Sequence, residues 1–258
     1  MMRNGLRKQT GNMYEWVTHT WNPLAGACPH ECVYCYMKVL KSKKYEGEPR
    51  LVASEFVALG QDNKIFVCSA NDLFAEAIPE NIILRILEHC KRYPQNTYLF
   101  QTKNPQRFID LIEKHGPEVF PPKRIFCTTI ETDDEELYKK MKISKAPSLS
   151  ARVSAIEKLS NGWVHRRGEI CYITVEPIMR FTDPWEFAKF IGFAEPDKVS
   201  IGADSKNNGL LEPDKDDIVD FVRLLYDFEQ KIHLKRNLIR LIGKEEFFKL
   251  KRWVGDDA

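Results

Sequence analysis

Three cysteines, Cys28, Cys32 and Cys35, lie within eight residues of one another near the start of the chain. Thiolates are the usual protein ligands of iron–sulfur clusters, and three of them on one loop can ligate three irons of a cubane cluster. The fourth iron would then be open to another ligand. The residues between the first two cysteines are polar, which argues against a packed core. The spacing therefore predicts a cluster-binding loop over about residues 22–37.

Zinc is the alternative metal for this loop, because three cysteines together with His30 or His19 would complete a tetrahedral site. Structural zinc sites usually pair two such knuckles, and the sequence has no second C-x2-C pair. Chance clustering of core thiols is a further alternative. The cysteines number seven in total, and an odd number in a chain without an export signal argues against a disulfide framework.

The composition is that of an ordinary globular protein. Of 258 residues, 43% are hydrophobic, and 39 Lys+Arg balance 37 Asp+Glu to a formal net charge of +2. These values exclude a disordered chain and argue against a broadly electrostatic nucleic-acid binder. No window reaches the roughly 18 apolar residues of a membrane span, and the amino-terminal residues lack the apolar segment of a secretory signal. We therefore expect a cytoplasmic protein without membrane contact.

Short β-rich runs alternate with amphipathic helical patterns along the chain, and such repeats imply parallel strands joined by right-handed crossovers. This pattern fits an open doubly wound sheet or a complete or partial (β/α) barrel, and the lack of linkers or repeats predicts a single domain over residues 1–258. The predicted strands are Tyr14–Thr20, Lys64–Ser69, Thr97–Thr102, Arg124–Thr129, Ile170–Val175, Lys198–Ile201 and Lys231–Leu234. Helices are predicted over 79–94, 104–116, 148–159, 184–193 and 214–228.

The C-x3-C-x2-C spacing, with Tyr34 directly before the third cysteine, resembles the signature of the radical S-adenosylmethionine superfamily. The surrounding residues resemble the short phage Gp37/Gp68-like (DUF5131-type) subgroup. The matching segments are THTWNPLAGACPHECVYCY, VCSANDLF, FQTKNP, APSLSARVSAIEKL, ITVEPI and IGADSKN, in the subgroup's order.

The resemblance implies a fold, two cofactors and a type of reaction. The fold is an α/β, partial (β/α)6–7 TIM-like barrel with parallel strands. The cofactors are a [4Fe-4S] cluster on the three cysteines and S-adenosyl-L-methionine on its open iron. An external one-electron reductant is implied as partner. Reductive cleavage of S-adenosylmethionine then yields a 5′-deoxyadenosyl radical that abstracts hydrogen from a substrate.

Polar residues at the carboxyl ends of the predicted strands are the candidates for contacts with substrate, because parallel barrels place their sites there. Glu176 ends an otherwise apolar strand, and a carboxylate in such a place needs a partner. Asp204 and Lys103 also follow strands. We predict catalytic roles for these three residues. A solvated loop charge is the alternative for Lys103.

A second set of residues is assigned to S-adenosylmethionine by position and by the resemblance. Tyr34 and Gly202 are predicted near the adenine, Glu131 at the ribose hydroxyls and Arg152 at the methionine carboxylate. The superfamily often has a Gly-Gly-Glu run after the second strand for the amino group, and this chain departs from that pattern. The residues that stand there instead are Ser69, Asn71 and Asp72.

Two of these residues have structural alternatives, because a helix N-cap would explain Asp72 and an exposed helical position would explain Arg152. The basic stretches Lys38–Lys44, 165–167 and Lys231–Arg240 are solvated faces or phosphate contacts. The substrate predicted from the resemblance and the first of these stretches is a nucleobase or nucleic acid. Two other hypotheses stay open, a peptide or protein substrate and a zinc-stabilised nucleic-acid-binding module without catalysis. The sequence leaves the oligomeric state open.

Overall fold

The computed structural model describes residues 5–9, 14–40, 42–164, 170–206 and 208–256. The chain forms two compact units. The first comprises Met1–Glu31 and Cys35–Cys127, and the second comprises Cys32–Tyr34 and Thr128–Ala258. The chain thus enters the second unit for three residues inside the cysteine loop before it returns there after Cys127. A single domain over residues 1–258 stays a prediction.

The first unit is built on short parallel strands. β2 pairs in parallel with β5, and β5 pairs in parallel with β6, with Trp21 opposite Val67 and Ile65 opposite Tyr98. β1 adds to β2 in antiparallel direction, and β3 and β4 form a separate antiparallel pair. The strands are β1 Arg7–Lys8, β2 His19–Trp21, β3 Leu24–Ala25, β4 Arg50–Leu51, β5 Lys64–Val67, β6 Thr97–Thr102 and β7 Arg124–Thr129, the last of which runs on into the second unit.

Three α-helices belong to the first unit: α1 Met37–Leu40, α2 Glu80–Lys91 and α3 Gln106–His115. α3 ends because the Gly116 amide donates to the carbonyl of Ile112 at 2.8 Å, and Gly116 adopts a φ of 78° that an L side chain rarely takes. The core of this unit is rich in aromatic rings in edge contact, with 4.6 Å between the ring centroids of Phe74 and Phe108. The buried rings are Phe74, Phe100, Phe108, Phe120 and Phe126.

In the second unit, β8 Ile170–Val175, β9 Lys198–Ile201 and β10 Ile232–Leu234 pair in parallel in that order. The Asp183 carboxylate begins α6 by accepting from the amides of Trp185 and Glu186. α6 and α7 bury Phe187 and Phe221, whose rings stack at 4.5 Å. The helices are α4 Glu135–Lys140, α5 Leu149–Leu159, α6 Pro184–Gly192, α7 Lys215–Asp227, α8 Ile239–Ile242 and α9 Lys244–Trp253.

The predicted strands over 97–102, 124–129, 170–175 and 198–201 are confirmed to the residue, and the five predicted helices are confirmed to within about three residues. Three strands are shorter than predicted, and β10 differs only by beginning at Ile232 instead of Lys231. The first covers only His19–Trp21, because a turn from Tyr14 to Val17 precedes it. The second ends at Val67, because Cys68 adopts a φ of 56° and leaves the extended conformation. The basic residues 165–167 lie outside the described residues.

Within the described part of the chain, no helix is long and apolar enough to cross a membrane.

Gly26 lies between β3 and the first cysteine, and we expect its replacement to destabilise the fold. A Cβ there would lie 2.5 Å from the carbonyl oxygen of Glu48, and φ is 103°. Gly26→Ala should therefore lower the free energy of unfolding by more than the roughly 1–2 kcal/mol that an L residue in the left-handed conformation costs. Gly47→Ala is the matched control, because φ is 72° there and nothing lies within 4 Å of the added Cβ. Urea denaturation of both variants measures which one loses more free energy of unfolding. Equal losses would show that the predicted clash at Gly26 is absent.

Candidate functional site

The cysteine loop follows β3. Its first turn brings the Glu31 amide to 3.4 Å from the carbonyl of Cys28, with Glu31 at a φ of 47°. Cys28 and Cys35 are partly exposed and belong to the first unit, whereas Cys32 is buried and belongs to the second. All seven cysteines are thiols rather than disulfides in the described chain. This donor set, three thiols within eight residues, fits the ligation of an iron–sulfur cluster.

This fit rests on the spacing of the three thiols along the chain. Among the described residues, no group of three His, Cys, Asp or Glu side chains already surrounds a common metal position.

In the first unit, the loop after β5 is hydrogen-bonded to the residues on both sides of the first cysteine. The Ser69 hydroxyl lies 3.3 Å from Oδ1 of Asn22, and the Asn71 amide donates to the carbonyl of Gly26 at 2.9 Å. The Tyr36 hydroxyl, beyond the third cysteine, donates to the carbonyl of Ser69 at 2.8 Å. The structure thus joins the predicted residues Ser69 and Asn71 to the cysteine loop.

Asp72 lies in the same loop, and its side chain, which is 10% exposed, accepts several hydrogen bonds. Its Oδ2 lies 2.9 Å from Nε2 of His30 and accepts from the Lys103 amide at 2.7 Å. Its Oδ1 accepts from the Thr102 hydroxyl and from the Phe74 amide. Burial raises the pKa of Asp72, but the contact with His30 and the hydrogen bonds from residues 102 and 103 outweigh it. The pKa therefore lies below its ordinary value.

The alternative role of Asp72 as a helix N-cap is wrong, because α2 begins only at Glu80 and Asp72 closes a turn instead. His30 faces Asp72 through Nε2, and this nitrogen would have to leave the carboxylate to ligate zinc. Lys103 contacts Asp72 through its backbone amide. The predicted contact of the Lys103 side chain with substrate stays a prediction.

In the second unit, Glu131 and Arg152 form an ion pair in which both side chains are 0% exposed. Nη1 of Arg152 lies 3.0 Å from Oε2 of Glu131. Oε1 of Glu131 accepts hydrogen bonds from the hydroxyls of Tyr34 and Tyr138, the latter at 3.0 Å, and Arg152 also donates to Tyr138 at 3.1 Å. We call these four residues the buried carboxylate cluster. The alternative of an exposed helical Arg152 is wrong.

Burial and the neighbouring Glu131 charge raise the pKa values of both tyrosines of this cluster, well above the ordinary value for Tyr34. Both hydroxyls therefore keep their protons and act as donors. Burial lowers the pKa of Arg152, but Glu131 and Tyr138 raise it by more than burial lowers it. The guanidinium therefore stays charged. The structure thus brings together three of the predicted cofactor residues, Tyr34, Glu131 and Arg152, as partners of one another.

A second charged group of the second unit lies where β8, β9 and β10 end. Oε2 of Glu176 accepts from Nζ of Lys235, and Nδ2 of Asn237 lies 3.4 Å from Oε1. Gly202 makes this approach feasible, because a Cβ there would lie 3.0 Å from the Glu176 carboxylate and 3.1 Å from Asn237. The Glu176 side chain is 22% exposed and that of Lys235 is 5% exposed. Glu176 is thus partly accessible and already paired.

Asp204 is buried and closes its own loop, because it accepts from the Lys206 amide at 3.1 Å and from the Asn208 side chain at 2.6 Å.

Lys44, at the end of the first basic stretch, is not a free phosphate contact. Its Nζ donates to Glu55 at 2.6 Å and to the carbonyl of Asn22 at 2.8 Å.

Sequence reasoning did not select several residues that the structure places in these groups. Lys235 and Asn237 directly follow β10, and their position at a strand end was the available signal. Tyr138 carried no signal, because an aromatic residue in a short amphipathic helix is typical of a core position. The contact of His30 with Asp72 joins residues 42 positions apart, and no local pattern shows it.

Parallel strands, each followed by helices, with polar side chains at the carboxyl ends, define an α/β protein of the partial-barrel class. Solved structures agree. Spore photoproduct lyase complexed with dinucleoside spore photoproduct is similar at a TM-score of 0.60 and 14% identity, over 88% of this chain and 78% of that chain. A substituted form with bound AdoMet and dinucleoside spore photoproduct matches at 0.60 and 13% identity, with the same coverage. This likeness concerns the fold, and it confirms the predicted fold class.

The chain belongs to the DUF5131 family. The family model, described as "Protein of unknown function (DUF5131)", matches residues 12–162, which is more than half of the chain. No curated protein matches the sequence. The matched range includes the cysteine loop and the buried carboxylate cluster, whereas Glu176, Gly202 and Asp204 follow it. The phage-like subgroup stays a prediction.

The depressed pKa of Asp72 predicts a pH-dependent contribution to stability. A carboxyl whose pKa is lower in the folded state stabilises the fold above its unfolded pKa of about 4, and this stabilisation is lost as the pH falls through the folded pKa. Asp72→Asn should cost roughly 1–3 kcal/mol near neutral pH. The difference from the unsubstituted protein should shrink at about pH 3.

Urea denaturation at the two pH values checks this expectation. Glu80→Gln is the control, because that carboxylate also has a lowered pKa, through Lys114 and His115 on the surface, but water screens its ion pairs. An Asp72→Asn loss that is independent of pH would show that shape rather than charge matters there.

Proposed function

We propose that this protein is a radical S-adenosylmethionine enzyme whose loop cysteines hold a [4Fe-4S] cluster. The observation that carries the proposal is the set of three thiols at Cys28, Cys32 and Cys35. It is supported by the fold likeness to spore photoproduct lyase, one structure of which contains AdoMet. When bound, cluster and S-adenosylmethionine supply a one-electron reductive cleavage that generates a hydrogen-abstracting radical.

The protein's own part is to bind, to orient and to keep water away. Tyr36 and Asn71 hold the loop residues of the first unit in place through backbone carbonyls. Asp72, with its depressed pKa, keeps a negative charge at neutral pH. We propose it, together with Ser69 and Asn71, as the counterpart of the cofactor's positively charged amino group. Gly202 remains the proposed neighbour of the adenine.

We propose a nucleobase or nucleic acid as the substrate and Glu176 as a residue that faces it. The similar lyase structures contain a dinucleoside spore photoproduct. Glu176 and Lys235 form a pair that places a hydrogen-bond acceptor beside a donor. Because the two charges of the pair cancel, it suits the edge of a neutral base. We propose Asp204 and Lys103 as further contacts at strand ends. With both cofactors bound, these residues would orient a C–H bond of the substrate for the hydrogen abstraction that the cofactors supply.

Replacement of any of the three loop cysteines by alanine should abolish cluster binding. After anaerobic reconstitution, Cys28→Ala, Cys32→Ala and Cys35→Ala should lose iron, sulfide and the formation of 5′-deoxyadenosine with dithionite and S-adenosylmethionine. Cys90→Ala is the control, because this buried thiol lies on α2 and should leave the iron content unchanged. The outcome that would contradict the proposal is one equivalent of bound zinc, with no charge-transfer absorption, that His30→Ala no longer binds. The protein would then be the zinc-binding module.

Glu176→Gln should separate cofactor cleavage from reaction with substrate. With deuterium-labelled oligonucleotides as candidate substrates, transfer of label into 5′-deoxyadenosine should fall by roughly 100-fold or more if the carboxylate orients the base, while cleavage without substrate persists. Glu186→Gln is the control, because Glu186 is an exposed carboxylate of the same unit that pairs with Lys189 on the surface of α6. Label transfer only from peptides would redirect the substrate assignment to proteins.

A further inference from the structure

Three consecutive residues of the cysteine loop, Cys32–Tyr34, are anchored in the second unit, each by a different atom. The Cys32 sulfur lies 3.2 Å from the Ser144 hydroxyl, and the Val33 amide donates to the carbonyl of Ile143 at 2.9 Å. The Tyr34 hydroxyl donates to Oε1 of Glu131. The first two anchors come from one loop between α4 and α5, and the third comes from the end of β7.

The Glu131 anchor differs from the other two, because its acceptor is a fully buried carboxylate that Arg152 and Tyr138 also bind. Arg152 holds the carboxylate at 3.0 Å and is itself fixed by the carbonyls of Thr129 at 3.1 Å and Pro147 at 2.8 Å. Both charges of the pair are fully buried, and a buried charge that loses its partner is strongly destabilising. The carboxylate therefore keeps one position, and Tyr34 is fixed with it.

We propose that Glu131 is a positioning residue of the cysteine loop, which holds Tyr34 and thereby presents Cys32 in one place. Only one part of this inference, that Cys32 ligates a metal, rests on the proposed function. The anchoring itself is a property of the protein without metal. It assigns Glu131 and Arg152 a role toward the loop, in place of the contacts with ribose and methionine carboxylate that the sequence predicts.

The structure offers a matched pair of substitutions to test this role. Tyr34→Phe and Tyr138→Phe each remove a hydroxyl that donates to the same oxygen of Glu131. Only Tyr34 belongs to the cysteine loop. The Tyr138 hydroxyl also accepts from Arg152, so a purely structural role of the buried carboxylate cluster would make Tyr138→Phe at least as disruptive at Cys32 as Tyr34→Phe. A positioning role confines the effect on Cys32 to Tyr34→Phe.

The measurement is the rate of iodoacetamide alkylation at Cys32 in the metal-free full-length protein, determined by peptide mass spectrometry. Cys32 is buried in the unsubstituted protein. The loss of one hydrogen bond to a charged group should release the segment and raise this rate about tenfold in Tyr34→Phe. The rate in Tyr138→Phe should stay near that of the unsubstituted protein. Thermal melting of both variants verifies that they are folded.

A Cys32 rate in Tyr34→Phe equal to that of the unsubstituted protein overturns the inference, and so does an equal acceleration in Tyr138→Phe. After reconstitution, Tyr34→Phe should lose iron to a chelator about 10-fold to 100-fold faster, with an altered electron paramagnetic resonance signal of the reduced cluster. If the unsubstituted protein takes up no iron, the proposed function fails, while the alkylation rates still decide whether Glu131 positions the loop.

Discussion

A charge that leaves water must find a partner, and this chain pairs carboxylates that are partly or fully buried where its strands end. Glu131 meets Arg152 after β7, Glu176 meets Lys235 after β8 and β10, and Asp72 meets His30 after β5. The cost of an unpaired buried charge is several kcal/mol. Each pair therefore fixes the loop that carries it. These loops lie at the carboxyl ends of parallel strands, where (β/α) folds form their sites.

The cysteine loop depends on this constraint more than any other segment. Its middle residues rest on the carboxylate of Glu131, and the residues that flank them are bound to the loop after β5 through Asn71 and Tyr36. A metal loop gains from such support, because partners beyond the ligands orient the ligands and tune the bound group. The family resemblance relates Tyr34 to the adenine. In this structure its hydroxyl joins the cysteine loop to Glu131.

Much of the fold was predictable from the sequence. β6 to β9 have the predicted bounds, because each is a short apolar run between turn residues and helices. The first strand was predicted too long, since the pattern of Tyr14–Thr20 does not show the turn that precedes His19. For the candidate site, position at strand ends indicated that Glu176 needs a partner and selected Glu131 as a contact of the ribose hydroxyls. It did not show that the partners are protein side chains.

By itself, the sequence determined the spacing of Cys28, Cys32 and Cys35 and the alternation of strands and helices. Both depend on residues close along the chain, where composition and periodicity carry the information. Only the tertiary structure decided the pairing of charges. Tyr34 and Glu131 are 97 residues apart, and Glu176 and Lys235 are 59 apart. Such contacts follow from strand register and crossover geometry, which bring strand ends together without leaving a local pattern in the sequence.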